Sequence, residues 1–304
     1  MKLLLHLALM LLLPPLLPGV INRVKSIVGG RRGPPLLQLY FDLWKLLRKG
    51  AVYSTTTTWV FRAGPVVTLA GALLAGTLLP MGGALPAPLA FAGDIILFAY
   101  LLGLGRFFTM IAALDTGSSF EGMGASREAT FGALAEPAFF LSLAALAAAR
   151  RSLSFTGILS NEMVAWHRFG PAMVMLIAAL MLVALAECSR IPFDDPNTHL
   201  ELTMIHEVMV LDHSGPDLAF ILYGAALKLF LLGAVVVRLA LPFEASLRGH
   251  VALFIAGMLL FAMVVGLIEA TLARLRLNRV PHILVGASVF AALAVAVVLI
   301  RAGA

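Results

Sequence analysis

Long stretches with almost no charge recur along the whole chain and leave few folds open to it. A helix that crosses the roughly 30 Å hydrocarbon layer of a bilayer needs about 20 apolar residues. Stretches of about that length lie at approximately 1–21, 64–82, 92–114, 130–149, 169–188, 218–240, 251–272 and 282–300. In lipid, backbone polar groups cannot bond to water, so only helices and closed barrels can span it. The strands of such barrels are only about ten residues long, shorter than these stretches. The pattern therefore predicts an all-α polytopic membrane protein with eight transmembrane helices, folded as one domain over 1–304.

The first stretch, MKLLLHLALMLLLPPLLPG, has two interpretations. Its short apolar core resembles a signal peptide, but a clear small-x-small cleavage site is missing. A membrane helix kinked at the Pro-Pro pair fits equally well, since neighbouring helices can satisfy the backbone groups that a proline frees. We expect a retained membrane helix.

Basic residues set the expected orientation, because cytoplasmic loops carry an excess of lysine and arginine. The loop after the first span holds eight: Arg23, Lys25, Arg31, Arg32, Lys45, Arg48, Lys49 and Arg62. Later loops on the same side add five, at 127, 190, 274, 276 and 279, against seven on the opposite side. The first loop is thus predicted in the cytoplasm and both termini on the outer side of the cell (inner) membrane. The net charge of +6 is assigned to topology, and no nucleic-acid partner is expected.

The first loop contains one amphipathic segment, PPLLQLYFDLWKLLRKG. Its large apolar residues fall at helical spacing, and basic and polar residues take the other face. A helix of this kind lies in the membrane interface or packs beneath a partner subunit. The third loop, 115–129, is rich in glycine and serine and predicts a folded surface loop.

The segment 190–217 concentrates charge of the opposite sign. Asp195 can cap a helix that has Pro196 in its first turn, and Thr198-x-x-Glu201 forms a capping box. We predict a helix from Asp195 to about Leu211. Six carboxylates and Arg190 give this segment a charge of −5, whereas eight basic residues and one aspartate give the first loop +7. Two such loops on one side of the membrane are expected to face each other across a polar chamber.

Ionisable residues also lie inside the predicted spans. Each costs about 2.5–3.5 kcal/mol at mid-bilayer on insertion scales. Lys228 and Arg106 are too deep to reach water, so each is expected to pair with an embedded carboxylate. Glu136, Glu187 and Glu269 are the candidate partners, although each could also be a helix-end charge that reaches the surface. A chain of such groups is what a proton path requires.

Metal and cluster sites are not predicted in this chain. His199, His206 and His213 recur every seven residues, but on a helix they would stand about 10 Å apart, too far to share one ion. Cys188 is the single cysteine, and iron–sulfur clusters need several thiolates.

Two motifs resemble subunit 1 of respiratory complex I. The first lies in the first loop and consists of RGP at 32–34, Gln38 and DxxKL at 42–46. The second is AExxRxPFDxP at 186–196, followed by Glu201. The form DDPNTHLELTMIHEVMVLDHSGPD and the stretch SREATFGALAEPA at 126–138 are more similar to the anchor subunits of formate hydrogenlyase and hydrogenase-4 complexes. Asn197, His199 and Asp212-His213 depart from the complex I pattern and make a quinone site doubtful.

The resemblance implies a non-catalytic membrane anchor and proton-coupling subunit of a membrane-bound NiFe hydrogenase. Its expected partners are the hydrogenase large and small subunits, iron–sulfur subunits and antiporter-like membrane subunits, which would carry the iron–sulfur clusters and the NiFe centre. The proton-coupling candidates are Glu136, Glu187, Asp194, Asp195, Glu201, Glu207, Lys228 and Glu269. The candidates for a partner-facing loop are Arg31, Arg32, Arg190, Asp212 and His213.

Other functions stay open at this point. A quinone-site subunit of a complex I-type NADH:quinone oxidoreductase would use the same loop. The acids of that loop could also merely dock a basic partner surface. A stand-alone secondary transporter is disfavoured, because no inverted repeat is visible in the sequence.

Overall fold

The computed structural model describes residues 1–81, 85–160, 162–194, 204–241 and 246–303. Within them the chain is helical. The helices are α1 (Lys2–Leu12), α2 (Leu16–Val28), α3 (Gln38–Leu47), α4 (Trp59–Leu78), α5 (Asp94–Asp115), α6 (Ser119–Arg150), α7 (Phe155–Ile158), α8 (Glu162–Glu187), α9 (Gly215–Ala240), α10 (Leu247–Thr271) and α11 (Val280–Gly303). Two 3-10 helices lie at Glu207–Val210 and Leu277–Arg279.

Seven of the described helices are long and apolar enough to cross a membrane: α4, α5, α6, α8, α9, α10 and α11. Helices α1 and α2 meet at a bend of 45°, and the count reaches eight if that bent pair forms one span. The break falls at Pro14 and Pro15, where proline removes two backbone donors. The all-helical membrane architecture is confirmed, whereas the eighth span stays a prediction.

Glycines allow neighbouring helices of the bundle to pack closely, and α9 is the most buried of the described spans. In lipid, helix association depends on close contact rather than on escape from water, which favours glycine at interfaces. A Cβ on Gly71 of α4 would come within 2.9 Å of the Leu101 oxygen on α5. A Cβ on Gly266 of α10 would come within 3.0 Å of the Ile21 oxygen on α2.

The connections gather at two ends of the bundle. At one end Thr58 donates to Asp115, Val52 to Ser214, and Leu275 to the Pro192 carbonyl. We call this the loop end. At the other, which we call the terminal end, Gly93 N–H bonds Leu153, and Arg168 and Arg301 each donate to the other's carbonyl.

The predicted amphipathic helix is present as α3. Its residues Phe41, Trp44 and Leu47 are all at least half exposed, and the Arg48 guanidinium lies 4.2 Å from the centre of the Trp44 ring. Tyr40 lies on the other side and donates to the Leu12 carbonyl at the α1–α2 bend. Whether a membrane surface or a partner covers the exposed face stays a prediction.

The prediction of a surface loop at 115–129 is wrong, because α6 begins at Ser119. Glycine lowers helix propensity by about 1 kcal/mol, but tertiary packing overrides it here. Glu121 and Ala125 are buried, and a Cβ on Gly124 would come within 2.3 Å of Val208. The glycine therefore serves close packing of α6 against the segment after α8.

The helix predicted from Asp195 to Leu211 is also wrong over its described part. Residues 204–206 are irregular, and only Glu207–Val210 is helical, as a 3-10 turn. Asp194 accepts bonds from the Ile205 and His206 amides at 3.0 and 3.1 Å. These bonds fix the backbone of residues 205 and 206 against Asp194 in a conformation that is not α-helical. Residues 195–203 lie outside the described part of the chain.

Candidate functional site

Glu187 is the centre of the buried charges. It is the last residue of α8, as the sequence predicts, and it accepts from Arg106 Nη1 of α5 at 2.6 Å and from Lys228 Nζ of α9 at 2.7 Å. The prediction that both deep cations pair with an embedded carboxylate is confirmed. A carboxylate held by two cations from two other helices joins three spans at one point.

Arg106 has a second carboxylate partner. Its Nη2 also pairs with Glu136 of α6. Gly132 lies one turn before Glu136, and a Cβ there would come within 2.6 Å of Arg106 Nη1. The missing side chain lets the guanidinium lie flat against α6. We call Arg106, Glu136, Glu187 and Lys228 the embedded cluster.

A small cavity adjoins the embedded cluster on the side of the loop end. We call this space of about 60 Å³ the central cavity. Its polar lining consists of Thr68, Arg106, Thr109, Glu128, Glu187, Cys188, Ser189, His206 and Lys228. The volume is enough for roughly two water molecules, and the lining offers each the several polar partners that a buried water needs.

Two lining groups carry shifted pKa values. Burial lowers the pKa of His206, although Glu207 opposes the shift, so this imidazole is held neutral. Burial raises the pKa of the Cys188 thiol to about 12. A thiol in that state is protonated at physiological pH and is no nucleophile.

A larger opening lies on the opposite side of the embedded cluster, between α5 and α6. This lateral cavity measures about 380 Å³ and includes Arg106, Glu136 and Glu187 in its wall. Its rim is formed by exposed apolar side chains, among them Tyr100, Phe107 and Phe140. The Glu136 side chain is 48% exposed there, so this carboxylate faces out of the chain through the gap between α5 and α6.

A second group of charges lies at the loop end. Glu269 of α10 is fully buried and pairs with Lys25 of α2 at 2.8 Å and Arg190 at 3.4 Å. Asp194 pairs with Arg274 at 2.9 Å, besides its bonds to the backbone of the following segment. We call Lys25, Arg190, Asp194, Glu269 and Arg274 the loop-end cluster.

A narrow pocket of about 20 Å³ lies between the two clusters. Glu187 of the embedded cluster and Asp194 of the loop-end cluster both line it, together with Glu128. We call it the connecting pocket. Charged side chains therefore line a series of adjacent spaces, which begins at Asp194 in the connecting pocket and ends at Glu136 in the lateral cavity.

The remaining predicted residues lie in several environments. Arg31, Arg32 and Asp212 are exposed at the loop end, and Glu207 is half-buried in its 3-10 turn. Asp195 and Glu201 lie outside the described residues.

Two predicted partner-facing residues lie inside the chain instead. Arg190 is largely buried against Glu269. His213 is buried with its ring stacked on Phe61, the centroids 3.9 Å apart, and burial lowers its pKa to about 4. Each side chain is covered mainly by its own chain, and a role for either one at a partner surface stays a prediction.

The expected chamber between the two oppositely charged loops stays a prediction, because residues 195–203 of the acidic segment lie outside the described part of the chain. The first loop does meet the end of the acidic segment, since Val52 N–H donates to Ser214 at 3.0 Å. Gly215, at φ +55°, packs against the Gly50 carbonyl. These contacts are neutral. The described lining of the central cavity comes from the helices and the segment after α8, not from the first loop.

Sequence reasoning missed Glu128, Lys25 and Arg274. Glu128 lies in the stretch 115–129 that the sequence predicts as a surface loop, so it does not count among the charges within the predicted spans. Once α6 is extended, Glu128, Gly132 and Glu136 recur every four residues and share one helix face. Lys25 and Arg274 were counted only as topology signals, and nothing in their spacing indicates which carboxylate each one meets.

The comparisons with known proteins agree with this architecture. The NADH dehydrogenase family model matches residues 1–302. The chain is 33% identical to hydrogenase-4 component C of Escherichia coli (strain K12) over 283 residues, which covers 90% of this chain and 88% of that protein. It is also 33% identical to formate hydrogenlyase subunit 4 of the same organism, covering 88% and 89%.

More distant likenesses extend to respiratory enzymes. NADH-ubiquinone oxidoreductase chain 1 of Arabidopsis thaliana is 27% identical over 256 residues and covers 78% of each chain. A chain of the archaeal membrane-bound sulfane sulfur reductase superimposes with a TM-score of 0.84 over 98% of both chains at 19% identity, which supports the fold alone. The chain belongs to the NADH dehydrogenase family, that of complex I subunit 1, and its relatives include a hydrogenase-4 component and a formate hydrogenlyase subunit.

Proposed function

We propose that this chain is the membrane anchor and proton-coupling subunit of a membrane-bound NiFe hydrogenase or formate hydrogenlyase-type complex. It links a hydrophilic iron–sulfur arm at its loop end to ion-translocating, antiporter-like membrane subunits at its side. The observation that carries the proposal is Glu187, which is bonded at once to Arg106 and Lys228 and touches both small cavities.

The geometry suggests how a redox event could move a proton. A change of charge in a partner above the loop end alters the field at Asp194 and Glu269. Protonation of Glu187 would remove the negative charge that both cations share, and Lys228 would then lose its ion-pair partner. Such a cluster has discrete paired and unpaired arrangements, which is the property that coupling requires.

Glu136 offers the exit from this path. It is the one member of the embedded cluster whose side chain is half exposed, and it faces the lateral cavity. A carboxylate that faces lipid is costly, so we propose that a neighbouring membrane subunit covers this opening. The proton would pass sideways through Glu136 toward that subunit.

The remaining parts of the proposal concern placement. Helix α3 would lie in the membrane interface with Phe41 and Trp44 toward lipid. The eight basic residues of the first loop would place the loop end in the cytoplasm and both termini outside. Iron–sulfur clusters and the NiFe centre would reside in the hydrogenase large and small subunits and the iron–sulfur subunits.

The test is proton translocation by inverted membrane vesicles in which the variant chain is assembled. We expect Glu187→Gln and Lys228→Met to lower the proton gradient formed per molecule of hydrogen by tenfold or more. Lys228→Arg should retain much of it. Glu121→Gln is the matched control, because Glu121 is a buried acid of α6 that accepts from the Asp212 amide, outside both clusters. Wild-type coupling in Glu187→Gln would refute the proposal.

The second candidate is the quinone-site subunit of a complex I-type enzyme, favoured by the relatives named NADH-ubiquinone oxidoreductase chain 1. The central cavity of about 60 Å³ is smaller than the roughly 300 Å³ typical of ligand pockets. The metal content of the complex purified through a tag on this chain decides between the two. About one nickel per complex supports the hydrogenase, whereas iron and bound quinone without nickel support the alternative.

A further inference from the structure

Glu128 is a buried carboxylate within the stretch SREATFGALAEPA, and it is not among the proton-coupling candidates that the sequence predicts. It lies on α6 two turns before Glu136, and its residue is 9% exposed. It is a member of the wall of the central cavity and also of the connecting pocket. Few described side chains share that position, and besides Glu128 only Glu187 among them is acidic.

The groups around Glu128 come from every neighbouring element. Arg106 of α5, Glu187 at the end of α8 and Lys228 of α9 line the central cavity together with Glu128. Asp194, in the segment after α8, lines the connecting pocket with it. Glu128 therefore shares a cavity with members of both clusters. Arg106 and Lys228 belong to the embedded cluster, and Asp194 belongs to the loop-end cluster.

Glu128 differs from Glu187 in how its oxygens are engaged. Each Glu187 oxygen accepts from a cation, at 2.6 and 2.7 Å. No ion pair joins Glu128 to any cation in the described part of the chain. Its oxygens are thus available to water in either space. The connecting pocket has room for about one water molecule and the central cavity for roughly two.

We propose that Glu128 is the proton carrier between the connecting pocket and the central cavity, and so between Asp194 and the Glu187–Lys228 pair. This inference rests on the proposed coupling function and adds a residue to it. In one passage a water in the connecting pocket gives a proton to a Glu128 oxygen and is reprotonated by the Asp194 carboxyl. Glu128 then releases that proton to a water in the central cavity, which passes it to Glu187. One O–H bond breaks and one forms at each transfer, and Glu128 returns to its ionised state.

The test compares Glu128→Gln with Glu121→Gln, another buried acid on the same helix. Both keep size and polarity, but only Glu128 touches the two cavities. With the complex assembled, Glu128→Gln should lower proton translocation per molecule of hydrogen at least tenfold, whereas Glu121→Gln should leave it unchanged. Glu128→Asp keeps the carboxyl group and should restore a substantial part.

Failure of this inference is distinguishable from failure of the proposed function. If Glu187→Gln abolishes coupling but Glu128→Gln does not, Glu128 is no carrier and the coupling function stands. If both variants couple normally, the proposed function itself is wrong. Should Glu128→Gln fail to assemble, the decision passes to Glu128→Asp and infrared difference spectra of reduced minus oxidised complex. A carboxyl C=O band that shifts in Glu128→Asp supports the inference, and identical spectra overturn it.

Discussion

Buried polar groups behave differently at the two ends of this molecule. At the terminal end they pair with backbone groups and with an uncharged side chain. Asp94 accepts from the Ser154 hydroxyl at 2.6 Å and the Phe155 amide at 2.8 Å, and Trp166 donates to the Leu239 carbonyl at 2.8 Å. In the embedded cluster and at the loop end, Glu187 and Glu269 pair instead with cationic side chains of other elements.

The difference separates architecture from chemistry. A backbone amide cannot change its charge, so Asp94 has one stable arrangement and fixes the start of α5 against α7. A carboxylate shared by two cations can change protonation and partner, so under the proposed function Glu187 and Glu269 would exchange between paired and unpaired arrangements. Substitutions at the terminal end should therefore change stability, and those at the loop end should change coupling as well.

The largest effect is expected from Glu187→Ala. It leaves Lys228 buried without its carboxylate and removes one of two partners of Arg106. Loss of one partner from a buried ion pair costs about 3–5 kcal/mol. We expect a large fall in the melting temperature of the purified complex and the loss of coupling. Glu187→Gln should melt closer to wild type because it retains an acceptor oxygen, and an unchanged melting temperature in Glu187→Ala would contradict the central role of Glu187.

The next effect, at the terminal end, is on stability alone. Asp94→Ala strands the Ser154 hydroxyl and the Phe155 amide in a fully buried site. Each hydrogen bond to a charged group contributes about 1.5–3 kcal/mol. We expect a lower melting temperature, measured by thermal unfolding in nanodiscs, with unchanged proton translocation per molecule of hydrogen in the complexes that assemble. Altered coupling in the milder Asp94→Asn would contradict the separation of the two ends.

The membrane spans and the charges within them were open to prediction because both depend on hydrocarbon solvent. Long apolar stretches have few alternatives in lipid, and a charge as deep as Lys228 must find a partner. The position of Glu187 within a predicted span made it a candidate for that partner. The start of α6 was not open to prediction, because the glycines that suggested a loop serve contact with residues far away in sequence, such as Val208.

The partners within the loop-end cluster were hidden for a related reason. Glu269 and Lys25 are separated by 244 residues and meet only because α2 packs on α10. A sequence shows that both residues are charged but not that their helices are neighbours. Asp194 is also less exposed than the charge of its loop suggests, since it turns inward to bind backbone amides and Arg274.

A smaller effect is expected at the α1–α2 bend, where tyrosines replace the missing backbone donors. Tyr223 donates to the Leu11 carbonyl at 2.9 Å and Tyr40 donates to the Leu12 carbonyl. One such hydrogen bond contributes about 1 kcal/mol. Tyr223→Phe should lower the melting temperature by a few degrees and the double variant with Tyr40→Phe by more. Coupling should stay normal, because neither tyrosine belongs to the embedded cluster or to the loop-end cluster. A double variant as stable as wild type would show that water satisfies these carbonyls.

The smallest effect at neutral pH concerns His213, which lies at the loop end and has no charged partner among the described residues. Burial lowers its pKa in the folded state to about 4, whereas the ordinary value is 6.5. Between these values the unfolded chain binds more protons, so stability falls as pH decreases from 6.5 to about 4 and not further below. His213→Phe keeps the stack on Phe61 and removes the proton. The variant should equal wild type at pH 7 and exceed it at pH 5 in melting temperature. An equal acid loss in both proteins would mean that other loop-end groups control the acid sensitivity, which would place that sensitivity in the ion pairs rather than in this buried ring.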